Sequence, residues 1–253
     1  MTRLLNHALN ETRRSWWLAR RYWVETLVSL GFLLSLFAGL LLAVLKTSGQ
    51  SLDSGHADGL IAGFALWLFA SSAALSSAHD IREETEQGSL EQLSLTPLGL
   101  GGLLGVRLGL KLLQGLGLLL LCLLAIGWLT AGRVQASPTM LGLALLGSPA
   151  LVGLGFALAG LGLLVKRSEL LLVAIYPALI ALVSLPALPL NALAVLPYAL
   201  AAAAARASAT GTMAPAEVWA WVGLNSVLYL GLGLAVFRRC LQQARRLGVL
   251  GHR

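Results

Sequence analysis

Leu112–Thr130, LLQGLGLLLLCLLAIGWLT, is the stretch that decides the fold. From Gly115 to Leu129 its apolar residues run without interruption, whereas a strand of a membrane barrel alternates apolar and polar over about ten residues. A hydrocarbon core of about 30 Å is crossed by roughly 20 mainly apolar helical residues, and this stretch has that length. Similar stretches lie on either side of it, at Thr26–Leu45, Gly59–Ser77, Met140–Val165, Leu170–Pro189 and Val218–Phe237. The composition agrees: 57% hydrophobic residues, 11% charged and a mean hydropathy of +0.81 exclude an ordinary soluble domain. The fold class is all-α, a polytopic membrane protein with about six transmembrane helices. Pro149 inside the long fourth stretch predicts a kink or tilt, with the freed backbone groups satisfied by neighbouring helices.

Arginine and lysine set the expected orientation, because they stay on the cytoplasmic side of short loops. With the N-terminus cytoplasmic, Arg3, Arg13, Arg14, Arg20, Arg21, Arg82, Lys166, Arg167, Arg238, Arg239, Arg245, Arg246 and Arg253 face the cytosol. Arg107 and Lys111 lie at the cytoplasmic base of the third span, and Lys46, Arg133 and Arg206 face out. This asymmetry accounts for the net charge of +7, so no nucleic-acid partner is expected. Cys122 inside a span and Cys240 just past one do not form a disulfide framework of the secreted kind. The long Arg-rich lead before Val24, without a cleavage-like site, predicts no cleaved signal peptide.

Within that lead Arg13 and Arg20, Arg14 and Arg21, and Trp16 and Trp23 each recur at a spacing of seven, nearly one face of a helix. Residues 1–25 are therefore expected to hold a cytoplasmic amphipathic helix, with Asn10 to Glu25 along the leaflet as an anchor or as a lever beside a partner. Residues 26–237 form the six-span domain, with an outer segment at 190–217 and a basic cytoplasmic tail at 238–253.

Residues Asp80 to Gly99, DIREETEQGSLEQLSLTPLG, hold five of the eleven acidic residues of this basic chain. Asp80, Glu83, Glu84 and Gln87 share a helical face, which predicts that the second span runs on as an acidic helix until Gly88. Ser89 and Gln92 have capping-box spacing and Pro97 ends what they begin, giving a helix of about two turns. On it Leu90 and Leu93 fall on one face, with Glu91 and Gln92 turned away. Such a surface suits docking into a groove; a solvated loop resting on the membrane is the alternative.

The string EQGSLEQLSLTPLG resembles the signature of the type-2 ABC transporter permease family, roughly E-x-G-T/S-L-E-Q-L-x-x-x-P between the second and third spans. The match covers Glu86, Gly88, Ser89, Leu90, Glu91, Gln92, Leu93 and Pro97, with Ser89 where Thr is commoner. RYWVE leading into the first span, a Gly-rich fourth span ending at Lys166–Arg167, and the Pro-marked region of Pro186, Pro189, Asn191 and Pro197 extend the likeness. That last region is similar to the re-entrant outer segment of these permeases, and the alanine run Ala201–Ala205 carries no family information. The resemblance implies that 80–99 is a coupling loop whose short cytoplasmic helix docks a cytosolic ABC ATPase subunit, with Glu83 and Glu84 beside the matched residues. It also implies a second permease subunit, identical or related, and a place in a prokaryotic cytoplasmic membrane with both termini inside. The permease of the haem-handling system of cytochrome c maturation, whose loop also reads GSLEQL, is the alternative within the superfamily.

A P-loop needs G-x-x-x-x-G-K-[ST] to wrap phosphates. The lysines are Lys46, Lys111 and Lys166, preceded by Leu45, Leu110 and Val165, so ATP hydrolysis is expected in a separate subunit. His7, His56, His79 and His252 are scattered, no H-E-x-x-H or G-x-S-x-G is present, and Glu83–Glu84 lacks the Arg of an E-E-x-x-x-R protease motif because Gly88 stands there. No catalytic residue, metal or cofactor is expected. Gln114, Asn225, Tyr176, Tyr229, Ser71, Ser72, Ser76 and Ser77 are the polar groups of the spans, a lining that suits an apolar or amphipathic cargo better than an ion. Arg107 and Lys111 suit an anionic headgroup, or snorkelling, and Gly101, Gly105 and Gly109 suit close packing within the chain or across a dimer. A membrane scaffold recruiting a cytosolic factor through the same loop is the reading outside transport.

Overall fold

The structure, a computed structural model, describes residues 10, 12–13, 16–17, 20–48, 55–86, 99–129, 137–164 and 168–247. Its helices are α1 (Trp23–Ser48), α2 (Gly55–Glu86), α3 (Gly99–Leu129), α4 (Pro138–Leu164), α5 (Ser168–Ser184), α6 (Ala199–Ala209) and α7 (Ala216–Arg246), with a single-turn 3-10 helix at Ala192–Val195. No strand occurs among the described residues. Five helices, α1, α2, α3, α4 and α7, are long and apolar enough to cross a membrane.

The fifth expected span is shorter than its apolar stretch. α5 stops at Ser184 after 17 residues, a rise of about 25 Å at 1.5 Å per residue. Leu185 precedes Pro186 and is held away from helical geometry by the proline ring. The chain then passes through the 3-10 turn into α6, which is 11 residues long. α7, in contrast, continues beyond the expected end at Phe237 through Arg238 and Arg239 to Arg246, with Cys240 and Ala244 buried on one side. At the other end of the chain Asn10, Thr12, Arg13, Trp16, Trp17, Arg20 and Arg21 are helical and exposed, and the backbone bends at Tyr22 before α1 begins.

α4 and α7 form the tightest pair. A Cβ on Gly153 would strike the backbone of Tyr229, and one on Gly233 would strike the backbone of Gly153, so the two helices touch main chain to main chain. Pro149 cannot donate to the Leu145 carbonyl. Ser148 Oγ donates to that oxygen at 2.8 Å, and Ser226 Oγ of α7 reaches the next carbonyl, Leu146, at 2.7 Å. The proline is thus absorbed by one hydroxyl from its own helix and one from its neighbour. At its start α4 has Ser137 as cap, with Met140 N donating to Ser137 Oγ at 3.1 Å and Pro138 in the first helical position.

α6 lies inside the bundle. Ala199 through Ala205 are all buried, and a Cβ on Gly147 of α4 would collide with Ala201 and Tyr198. The chain enters α6 through Tyr198 in the left-handed region, φ 66, a conformation that costs roughly 1–2 kcal/mol in a residue with a side chain. Burial of its ring beside Gly147 holds it there. α1 is the opposite case: 6% of its apolar window is buried against 56% for α2 and for α4. It meets the rest through Leu41 and through Phe37, whose ring stacks on Phe64 with centroids 3.8 Å apart.

Candidate functional site

The connector begins on α2, which is one continuous helix from the bundle core to Glu86, as the spacing of its carboxylates predicts. Leu75, Ala78 and Ile81 are buried in a cluster with Val152, Phe156 and Phe237, so this end of α2 is anchored on α4 and α7. Asp80 points another way, toward α3, where the Lys111 ammonium donates to its carboxylate. The side chain of Asp80 is only 12% exposed and that of Lys111 38%. The pair lies where the two helices leave the bundle for the connector.

Of the site residues expected from sequence, Glu83 is exposed on the helical extension, and Glu84 and Glu86 belong to the same helix. Gly88, Ser89, Leu90, Glu91, Gln92, Leu93 and Pro97 lie outside the described residues, as does Gln87. Asp80 departs from the expected acidic face: it serves an intramolecular ion pair. Lys111 departs from the headgroup role in the same way, since a carboxylate of the chain already satisfies its charge. Sequence gives no hint of this pairing, because 31 residues and an interhelical turn separate the partners.

The polar groups of the spans are largely occupied by the fold. Asn225 Nδ2 donates to Val195 O at 2.9 Å and lies 3.4 Å from the carbonyls of Ala194 and Leu196, closing the end of the 3-10 turn. Ser76 returns its hydroxyl to Ala73 O. The Ser71 hydroxyl is buried without a partner. Ser72 lies 3.4 Å from where a Cβ on Gly115 would stand, at the close approach of α2 and α3. Gln114 is exposed, Tyr229 is half-buried, and Tyr176 lends its carbonyl to the Trp67 indole at 3.4 Å. Gly105 and Gly109 face open space, so at these two positions the glycine stripe is not packed within the chain.

The 185–208 segment is stapled by Asn191, from the Pro-marked region that the sequence singles out, and by Arg206. Asn191 accepts from Leu193 N at 3.0 Å and donates to Pro186 O at 2.8 Å. Arg206 donates to Leu185 O at 2.8 Å. Ser137, the cap of α4, also lies 3.4 Å from Ser208 O on α6. The alanine run is the part sequence missed: it forms the packed centre around which these staples close. Comparison with protein-family models, with curated proteins and with solved structures found no match.

Proposed function

We propose that this chain is the membrane-spanning permease subunit of an ABC exporter, driven by a separate cytosolic ATPase that docks on the 80–99 connector. The observation that carries the reading is α2 itself: one unbroken helix of 32 residues links the bundle core to the matched signature. A rigid helix transmits a push at its end, whereas a flexible loop would absorb it. Asp80–Lys111 supports the same reading, since it ties α3 to α2 at the root of the connector.

In this mechanism Leu90 and Leu93 seat in the ATPase, with Glu83, Glu84, Glu86, Glu91 and Gln92 around them and Gly88 and Pro97 bounding the short helix. ATP-driven closure of two ATPases pushes the connector, and α2 carries the movement to a seam with a second permease subunit. Six crossings are retained in this topology, with α5 as the short one; local thinning of the bilayer accommodates a helix a few ångströms below the core thickness. The cargo is apolar or amphipathic, in keeping with polar span residues that serve backbone carbonyls. The test uses tagged full-length chain, purified in mild detergent from its own cells and assayed for co-purifying ATP hydrolysis. Leu90→Asp with Leu93→Asp is expected to remove that activity while the chain stays monodisperse; an unchanged activity refutes the docking.

A further inference from the structure

Arg206 is a half-buried charge with no anion beside it among the described residues. It stands in the last turn of α6, half-buried, behind seven fully packed residues. One nitrogen, Nη2, donates to Leu185 O, and Nε is buried with no acceptor. No carboxylate pairs with it among the described residues. A guanidinium has five N–H donors in a rigid fork, of which one meets an acceptor among the described residues, and a buried cation without a counter-charge is costly. Arg206 is nonetheless held in place: its Leu185 acceptor belongs to the segment that Asn191 fastens through Pro186 O.

The surroundings fit an incoming anion at the membrane surface. Gly63 of α2 lies beside the Arg206 stem, where a Cβ would be 3.4 Å from Cδ, so the side chain runs along α2 at this point. Gly63 is five residues inside the Asp58 end of the candidate α2 span, a depth of about 7.5 Å at helical rise. Arg206 therefore stands toward one end of that span and not at its middle, with a long side chain able to carry its fork to the polar boundary. We propose that Arg206 forms a phosphate-binding site of this chain, its fork receiving a phosphate oxyanion at the end of the bundle where α6 and the 185–191 turn meet α2. Arginine suits this role through its bidentate geometry, which lysine lacks. The proposal does not depend on the ATPase reading.

Asp58 is the rival occupant, since its Oδ1 is also buried without a donor. The test is native mass spectrometry of the full-length chain in a sugar detergent free of phosphate, titrated separately with phosphatidylglycerol and with inorganic phosphate. Arg206→Gln is expected to weaken phosphatidylglycerol retention about tenfold and Arg206→Lys by less, the difference being the loss of the second donor. Asp58→Asn is expected to leave retention intact. Inorganic phosphate competing with the lipid identifies the free ion as a second source; lack of competition assigns the site to the headgroup. Retention by Arg206→Gln equal to that of the parent chain overturns the proposal, as does a parent chain that binds neither probe. Unfolding temperature without ligand identifies any variant that has lost the fold, and Arg206→Lys then carries the comparison.

Discussion

The two ends of α2 are held in different ways. Beside α6 the bundle is closed by contacts directed at backbone: Asn191, Asn225 and Arg206 on carbonyls of the 185–196 segment, and Gly147 admitting Tyr198 and Ala201, which any side chain would displace. At Asp80 the link to α3 is made through side chains, the Lys111 ammonium, more than a third exposed, donating to the Asp80 carboxylate. Backbone contacts of the first kind have a single geometry, since moving them strands polar groups where lipid offers no replacement. An ion pair at the rim exchanges with water and tolerates displacement. The comparison teaches that this molecule has a fixed half, made by α4, α6 and α7, and a neck, made by the extensions of α2 and α3, whose α2 part is anchored on α4 and α7 by buried side chains and joined to α3 through side-chain charge.

Breaking the fixed half gives the largest effect. Gly233→Val places two methyl groups against the Gly153 backbone and is expected to destabilise the chain by about 3 kcal/mol or more, measured by denaturant unfolding in mixed micelles. Full stability in that variant would show that α4 and α7 do not touch as described. Asn225→Ala removes the donor shared among three carbonyls at the end of the 3-10 turn and is expected to cost about 1–2 kcal/mol. Proteolysis or exchange localised to 185–198 is the accompanying signature.

The neck gives smaller numbers. Asp80→Asn and Lys111→Met in a double-mutant cycle are expected to show a coupling of about 1 kcal/mol, limited by solvent screening at the partly exposed lysine. The swap of Asp80→Lys with Lys111→Asp is expected to recover part of it, and zero coupling would remove the pair from the account. Phe37→Ala, which unstacks α1 from Phe64, is expected to cost about 0.5 kcal/mol, because lipid covers the exposed ring about as well as the lost partner did. A larger loss would place α1 in the fixed half.

Sequence carried the all-helical membrane class, the long α2 and the absorbed proline, because continuous apolarity, carboxylate spacing and Pro149 each act locally. It extended the fifth span to Pro189 by following apolarity through Leu185–Leu188, where Pro186 decides the backbone. It passed over Ala201–Ala205, since alanine suits lipid, water and core alike and only its neighbours reveal that it is packed. Asn225 read as a lone polar residue because the carbonyls it serves lie about 30 residues away. Of the connector, the helical approach through Glu83, Glu84 and Glu86 was legible in full, while the use of Asp80 inside the chain was set by a partner on another helix.

Hydrogen–deuterium exchange on the full-length chain, alone and with the ATPase proposed to dock on it, nucleotide-free and ATP-bound, tests the central claim most directly. Binding of the ATPase is predicted to slow exchange across 83–97 by about tenfold, with ATP altering 80–111 and leaving 191–230 as it was. Exchange at 83–97 that is indifferent to the ATPase, or a response confined to 191–230, would contradict the account.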